Sequence, residues 1–214
     1  MIFKKIKSDK GNSTFILGIM LIFVLLLVGG IMLDFSKAQS LKTAYIDAGR
    51  KATQAGIMEQ DSRGYLTKAS VAKTIITYEN LARPYSIKRD GYLSKCSNYG
   101  PSDVELLVKV SGPSAPKEFK IKRSQVQVVD TTLDESGSAR DALRAAEKSL
   151  ANSVPITSSD KFDKIQLNVT EGTENLVLPV GFKLTGGGDG MKCQKLDISV
   201  KATTFTGDEN ETYD

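Results

Sequence analysis

Histidine and tryptophan are absent from this 214-residue chain, and cysteine occurs only twice. Without histidine, the chain cannot supply a Ser-His-Asp triad, a Cys-His dyad, an HExxH zinc site or a histidine ligand to haem. Two cysteines are also too few for a four-cysteine zinc site or an iron–sulfur cluster. The composition therefore argues against most familiar classes of enzyme.

Net positive charge is small once the N-terminus is set aside. The formal net charge is +4, and +3 of it falls in the first ten residues, where four lysines accompany one aspartate. No broad basic surface is expected on the remainder, so we predict no nucleic-acid partner. Walker A, GxGxxG and GxSxG motifs are missing, and we predict no cofactor, no metal site and no small-molecule substrate.

The SxxK pattern of penicillin-binding enzymes occurs three times, beginning at Ser70, Ser114 and Ser158. The SDN and KTG motifs that accompany it in those enzymes are missing. Three matches in one chain show that the pattern arises easily by chance. We therefore predict no catalytic residues.

The longest apolar run extends from Phe15 to Leu33, 19 residues without a charge. At about 1.5 Å of rise per residue, such a helix matches a hydrocarbon core of about 30 Å. The sequence therefore predicts a transmembrane helix over 15–33, preceded by a basic leader over 1–14. Because lysines accumulate on the cytoplasmic side, we expect a single-pass protein of the cytoplasmic membrane with its N-terminus inside.

The sequence leaves three fates open for the leader. A secretory signal peptidase could cut after Ala38, although the apolar core is longer than the roughly 7–15 residues usual in signal peptides. A prepilin-type leader ends in a glycine directly before the apolar helix, which makes Gly11 a candidate cleavage site. Pilins of that kind usually carry glutamate five residues later, where this chain has Ile16. The third fate is an uncleaved anchor.

A helical pattern continues beyond the predicted membrane segment. Small and apolar residues recur at spacings of 3, 4, 3, 4 and 3, which is the heptad pattern of a helix lying along another surface. We call this stripe the packing seam; it comprises Ala38, Leu41, Tyr45, Ala48, Ala52 and Ala55. Its alanines allow close backbone approach, either to the chain's own outer domain or to a helix of another subunit.

Several short features around this helix also suggest a family. They are Gly11-Asn12, the apolar run with Gly29-Gly30, the segment Asp34-Phe35-Ser36-Lys37 and the alanine-rich stretch 41–56. Together they resemble the N-terminal module of Tad-type pilus-assembly proteins (TadE/TadG-like), over about residues 10–60, a quarter of the chain. The absence of glutamate at position 16 departs from the TadE-like pseudopilin pattern and favours a TadG-like, uncleaved anchor.

The resemblance implies a pilin-like structural or assembly component of a Tad (Flp) pilus or a related type IV-like secretion machine. Its expected partners are the membrane and other pilin-like or assembly subunits, which it would contact through the N-terminal helix. The resemblance implies no enzyme activity. The residues leave a second class open, a membrane-tethered extracytoplasmic module that binds a partner or a surface.

The remaining chain predicts an α+β outer part that begins with helices. A turn at 61–64 and a helix cap at Thr67 introduce a second helix, which Pro84 should end. Residues 34–83 are thus expected to form a helical hairpin.

Alternating apolar residues predict a mostly antiparallel sheet within an α+β outer domain over 84–206. A third helix is expected near 139–151, inserted between the strands, and a bend is expected near Arg123. Residues 207–214 are acidic and are predicted to be a disordered tail. The expected strands lie near 104–110, 119–128, 165–169, 176–184 and 196–202, with a hairpin between the last two.

The two cysteines, Cys96 and Cys193, both fall on the outer side of the predicted topology. An even count in an oxidising compartment favours a disulfide, which would stabilise the fold by about 3–5 kcal/mol in the chain-entropy model. Two separate thiols are the alternative. We predict that mass spectrometry of the unreduced protein will find the two cysteine peptides cross-linked, and two freely alkylated thiols would contradict the pairing.

Overall fold

The computed structural model describes residues 6–93, 104–127, 137–177 and 193–206. These residues form an α+β fold with an apolar N-terminal helix and a four-stranded antiparallel sheet, as predicted. In chain order the elements are α1 (Ile6–Ile57), α2 (Lys68–Leu93), β1 (Glu105–Ser111), β2 (Lys117–Lys122), a 3₁₀ turn (Arg123–Gln125), α3 (Gly137–Ser153), β3 (Lys164–Val177) and β4 (Cys193–Phe205).

Helix α1 is continuous over 52 residues, about 78 Å at the rise of an α-helix. No proline interrupts it, and the glycines at 29 and 30 do not break it. Gly11 therefore lies within the first turns of α1 rather than in an extended leader. From Tyr45 onward one side of α1 is buried against α2 and the sheet, whereas the stretch before Leu41 is mostly exposed.

A tight turn joins α1 to α2, as the sequence predicted. Gly64 adopts a positive φ of 81°, and the Asp61 carboxylate accepts hydrogen bonds from the backbone N–H groups of Arg63 and Tyr65, both at 2.9 Å. These bonds, chiefly that from Tyr65, lower the pKa of Asp61. Thr67 then caps α2, because its N–H donates to Ser70 Oγ at 3.0 Å and its Oγ1 accepts from the Ser70 N–H at 3.4 Å.

The prediction that Pro84 ends the second helix was wrong, because α2 continues to Leu93 with Pro84 inside it. Proline removes one backbone hydrogen bond and normally disfavours the helix by about 3 kcal/mol. Packing beyond the proline offsets that cost. The ring of Tyr85 meets the ring of Tyr45 edge-on at 6.0 Å between centroids, and Ser86 Oγ lies 3.3 Å from the Tyr45 hydroxyl.

The sheet has the strand order β2-β1-β3-β4, so β2 and β4 are its edges. Strands β1 and β4 lie where the alternation predicted strands, and the predicted bend near Arg123 is the 3₁₀ turn. The strand predicted over 119–128 was wrong in its second part, because β2 ends at Lys122 where that turn begins. Strand β3 continues through 177, with a register shift between Glu171 and Glu174, so 176–177 belong to the same strand as 165–169. It is this long strand that pairs with β4; residues 178–192 and 207–214 lie outside the described residues.

Helices α1 and α2 cover one face of the sheet, and α3 packs beside α2. Tyr45 and Ala52 of α1, together with Ile75 and Tyr78 of α2, are fully buried. They meet the inward residues of the sheet, which are Leu106, Val108, Val110, Ile165, Leu167, Val169, Ile198 and Val200. The core therefore includes the outer half of α1, so this half of the anchor helix is part of the domain itself.

Close packing between α1 and α2 depends on Gly56. A Cβ atom at this position would lie 2.0 Å from Thr74 Oγ1 and 2.8 Å from the Ser70 carbonyl oxygen. We predict that Gly56→Ala destabilises the domain by about 1–3 kcal/mol through overpacking, despite the better helix propensity of alanine, which is worth about 1 kcal/mol.

Urea unfolding of the detergent-solubilised protein, followed by near-UV circular dichroism of the tyrosines, measures this effect. Gly29→Ala is the matched control in the same helix, because a Cβ there has no neighbour within 4 Å. Equal unfolding midpoints for the two variants would show that α1 and α2 can move apart at Gly56 without loss.

Candidate functional site

The apolar part of α1 is exposed along its length. Its large side chains between Phe15 and Leu33 are 41–68% accessible in the isolated chain, except that of Leu27, which is half-buried. By length and composition, α1 is a helix able to cross a membrane. A water-soluble surface rarely exposes so large a contiguous apolar patch, whereas a bilayer accommodates it.

The packing seam divides into a buried and a half-buried part. Tyr45, Ala48 and Ala52 are buried in the domain core. Ala38, Leu41 and Ala55 are half-buried, and Leu41 packs against that core. The structure thus brings the seam residues together on one side of α1 and places them against the chain's own domain.

A buried ion cluster joins the helices to the sheet, and sequence reasoning missed it. The guanidinium of Arg123 donates to both oxygens of Glu79, at 3.0 and 2.8 Å, and to Glu171 Oε2 at 3.1 Å. A second bond from Arg123 reaches Glu171 Oε1. Both glutamates are about 1% exposed, whereas the Arg123 side chain is 20% exposed, so a partly exposed cation bridges two buried anions. Such an arrangement is stable only when every charge is paired.

Two hydroxyl groups complete the cluster. Tyr78 OH donates to Glu171 Oε1 at 2.6 Å, and Ser86 Oγ accepts from Arg123 at 3.1 Å. Because Ser86 also contacts the Tyr45 hydroxyl, the cluster links α1, α2, the turn after β2, and β3. Arg123 contacts α2 and β3 directly, whereas it is linked to α1 only through Ser86.

The electrostatics of the cluster favour a fixed protonation state. Burial raises the pKa of Tyr78, and the neighbouring Glu171 raises it further, so the phenol remains a hydrogen-bond donor. Burial alone would lower the pKa of Arg123, but the hydrogen bonds and charge of Glu171 outweigh it and the pKa is raised. Burial also raises the pKa of Glu79, although Arg123 opposes that shift. We interpret the cluster as a structural clamp, because both oxygens of each buried carboxylate are bonded to Arg123.

The SxxK pair at Ser70 and Lys73 does not form a nucleophile and a base. Ser70 Oγ donates to the Glu59 carbonyl oxygen at 3.0 Å, and Lys73 Nζ forms a salt bridge with Glu147 at 2.8 Å. Ser70 thus ties α2 to the turn that follows α1, and Lys73 ties α2 to α3. Among the residues that the structure describes, no group of three His, Cys, Asp or Glu side chains is placed to hold a metal ion.

A cleft of about 600 Å³ opens between strand β2 and helix α3. The strand contributes four consecutive residues, 118–121, so its backbone edge as well as its side chains borders the space. Mostly small residues of α3 form the opposite wall, and the remaining side chains that line the cleft are apolar or carry an amide. The lining includes Phe119, Ile121, Gln125, Ala146, Ser149 and Ser153. This cleft was not predicted, because it arises where α3 packs on α2 and leaves the edge strand uncovered.

Two predicted sites cannot be assessed in this structure. Cys96 lies outside the described residues, and for Cys193 only the backbone position at the start of β4 is described. The Cys96–Cys193 pairing therefore stays a prediction, and cleavage after Gly11 stays one of the three open fates of the leader. Comparisons with known protein families, with curated proteins and with solved structures found no match for this chain. The TadE/TadG-like resemblance consequently rests on the short motifs of residues 10–60.

The ion cluster yields a stability prediction. We expect Arg123→Met to destabilise the domain by about 3–5 kcal/mol at neutral pH, because two buried carboxylates lose their counter-ion. The deficit should shrink on acidification, since burial raises the pKa of the Glu79 carboxyl, which therefore binds a proton more readily in the folded state than in the unfolded chain.

The matched control is Lys109→Met, which breaks the exposed Lys109–Glu118 salt bridge of 2.9 Å. That change should cost less than about 1 kcal/mol. Chemical unfolding at several pH values distinguishes the two variants. Similar losses for both, independent of pH, would show that the cluster contributes no more than a surface pair.

Proposed function

We propose that this chain is a single-pass, membrane-anchored, pilin-like structural or assembly component of a Tad (Flp) pilus or a related type IV-like secretion machine. Residues 15–33 cross the cytoplasmic membrane, the lysine-rich leader stays inside, and the bulk of the chain lies outside. The chain is non-catalytic in this proposal, and its N-terminal helix joins it to other pilin-like or assembly subunits.

One observation carries the proposal. Helix α1 is unbroken, its N-terminal half is apolar and exposed, and its C-terminal half packs into the domain. A module that only needs to be held near a membrane can be attached by a flexible linker. A continuous helix instead fixes the domain relative to the membrane segment and offers a long apolar surface for neighbouring helices. That arrangement suits a subunit of a packed assembly.

Phe35 offers a place to test assembly separately from folding. It follows the apolar run directly and is 71% exposed, so it makes few contacts with its own domain. Leu41, by contrast, packs against the core, and a charge there would test folding instead. We predict that Phe35→Lys lowers recovery of the chain in a pilus or envelope complex about tenfold, which corresponds to about 1.4 kcal/mol of lost interface contact.

The matched control is Gln39→Lys, which places the same side chain one turn further along α1 at an exposed position. Co-purification from membranes measures assembly, and near-UV circular dichroism checks that both variants fold as the wild type does. Normal assembly of the folded Phe35→Lys variant would count against the pilin-like proposal. The alternative, a membrane-tethered extracytoplasmic binding module, is favoured by the cleft between β2 and α3.

A further inference from the structure

Within the part of the chain that the structure describes, strand β2 presents unpaired backbone groups along its outer edge. The Arg123 N–H donates to the Val104 carbonyl oxygen at 2.8 Å, which makes these two residues a hydrogen-bonded pair of the antiparallel ladder. Because such pairs alternate, the odd-numbered residues of β2 bond to β1. The N–H and C=O groups of Glu118 and Lys120 must then point away from β1. The described part of the chain supplies no hydrogen-bond partner for these four groups.

The open edge has a defined end. The Lys122 N–H, which points the same way, is already taken by the side-chain oxygen of Gln125 at 3.1 Å. An incoming strand can therefore pair with Glu118 and Lys120 but is stopped by the 3₁₀ turn. This limits the ladder to a short segment of about four or five residues, within the usual length of strands.

The two faces of an added strand would meet different surroundings. Phe119 is buried and Ile121 half-buried on the helix side of β2, where the cleft continues to the small residues Ala146 and Ser149 of α3. Side chains of the incoming strand that point this way would enter an apolar space with room for them. Side chains that point the other way would lie beside Lys120 on the solvent face, because opposite residues of paired strands share a face.

Two lysines of β2 on that solvent face, Lys120 and Lys122, lack acidic partners among the residues that the structure describes. Lys117 is paired with Asp160 at 2.8 Å, and Glu118 with Lys109. Lys120 stands opposite Leu107 of β1, and in the described residues its side chain forms no hydrogen bond or salt bridge. Lys122 also has no side-chain partner there, although Glu105 stands opposite it in the register. Acidic side chains on the incoming strand would thus find unpaired cations.

We propose that the cleft between β2 and α3 binds an extended segment of a partner protein, which adds to the sheet as a fifth strand and alternates apolar with acidic residues. Backbone bonds to Glu118 and Lys120 give affinity, the apolar side chains fill the cleft, and the acidic ones pair with Lys120 and Lys122. A second copy of β2 is a poor occupant because lysine-rich edges repel each other. The inference does not depend on assembly into a pilus.

A peptide-binding experiment on the full-length protein in nanodiscs of zwitterionic lipid tests the proposal. The probe is an end-blocked nine-residue peptide of alternating valine and glutamate carrying an uncharged dye, and fluorescence anisotropy reports binding. The comparison peptide alternates valine and lysine, and empty nanodiscs correct for lipid binding. We expect saturable binding of the glutamate peptide and at least about tenfold weaker binding of the lysine peptide. The reason is that glutamates opposite Lys120 and Lys122 are attracted to these cations, whereas lysines at the same two cross-strand positions are repelled.

Two variants locate the site and its charge preference. Ser149→Trp should abolish binding, because Ser149 is exposed and lines the cleft, so an indole there occupies the space without disturbing the core. Arg144→Trp is its control, since Arg144 is an exposed α3 residue outside the cleft lining. Lys120→Glu should weaken binding of the glutamate peptide about three- to tenfold and strengthen binding of the lysine peptide.

Three results would overturn the proposal. Equal binding of both peptides by the wild type would remove the charge preference, and unchanged binding by Ser149→Trp would place the peptide elsewhere. A concentration-dependent dimer that Ser149→Trp dissociates would identify a second copy as the occupant. Binding of the glutamate peptide that is lost in Ser149→Trp, kept in Arg144→Trp and reduced in Lys120→Glu supports the proposal.

Discussion

The fold depends on one cation placed between two buried carboxylates. Arg123 reaches from the turn after β2 to Glu79 on α2 and Glu171 on β3, and through Ser86 it is linked to Tyr45 of α1. Apolar packing would allow α2 to slide along the sheet with little change in buried area, since such contacts are non-directional. A planar guanidinium that bonds two carboxylates fixes both the distance between these groups and their relative orientation. The cluster therefore sets the position of the helical pair on the sheet.

Much of the architecture could be predicted because each element carries its own periodic signal. The apolar run, the heptad spacing of the seam and the alternation in β1, which is imperfect only at Leu107, are local patterns, and the structure has helices and a strand at those places. Pro84 misled the prediction because a local rule was overruled by tertiary contacts at Tyr85 and Ser86. The continuation of β3 past its bulge was missed because the register shift interrupts the alternation between Glu171 and Glu174.

The ion cluster left a trace in the sequence that was not used. Glu171 follows Ile165, Leu167 and Val169 at the same parity, and all four are buried. Arg123 continues the inward parity of Phe119 and Ile121 in the same way. Charged residues at positions that a pattern assigns to the core indicate a buried pair, although the pattern alone does not say which charges meet. The β2–α3 cleft left no such trace, because it depends on how far α3 stands from the edge strand.

The unbroken helix α1 also determines how far the outer domain can reach. With 15–33 in the bilayer, as we propose, only about eight residues separate the end of the apolar run from Leu41, where the helix begins to pack on the domain. At about 1.5 Å per residue this is about 12 Å, a little more than one headgroup layer of roughly 5–8 Å. The near end of the domain would then lie just outside the headgroups, so a partner of the domain must approach close to the membrane surface.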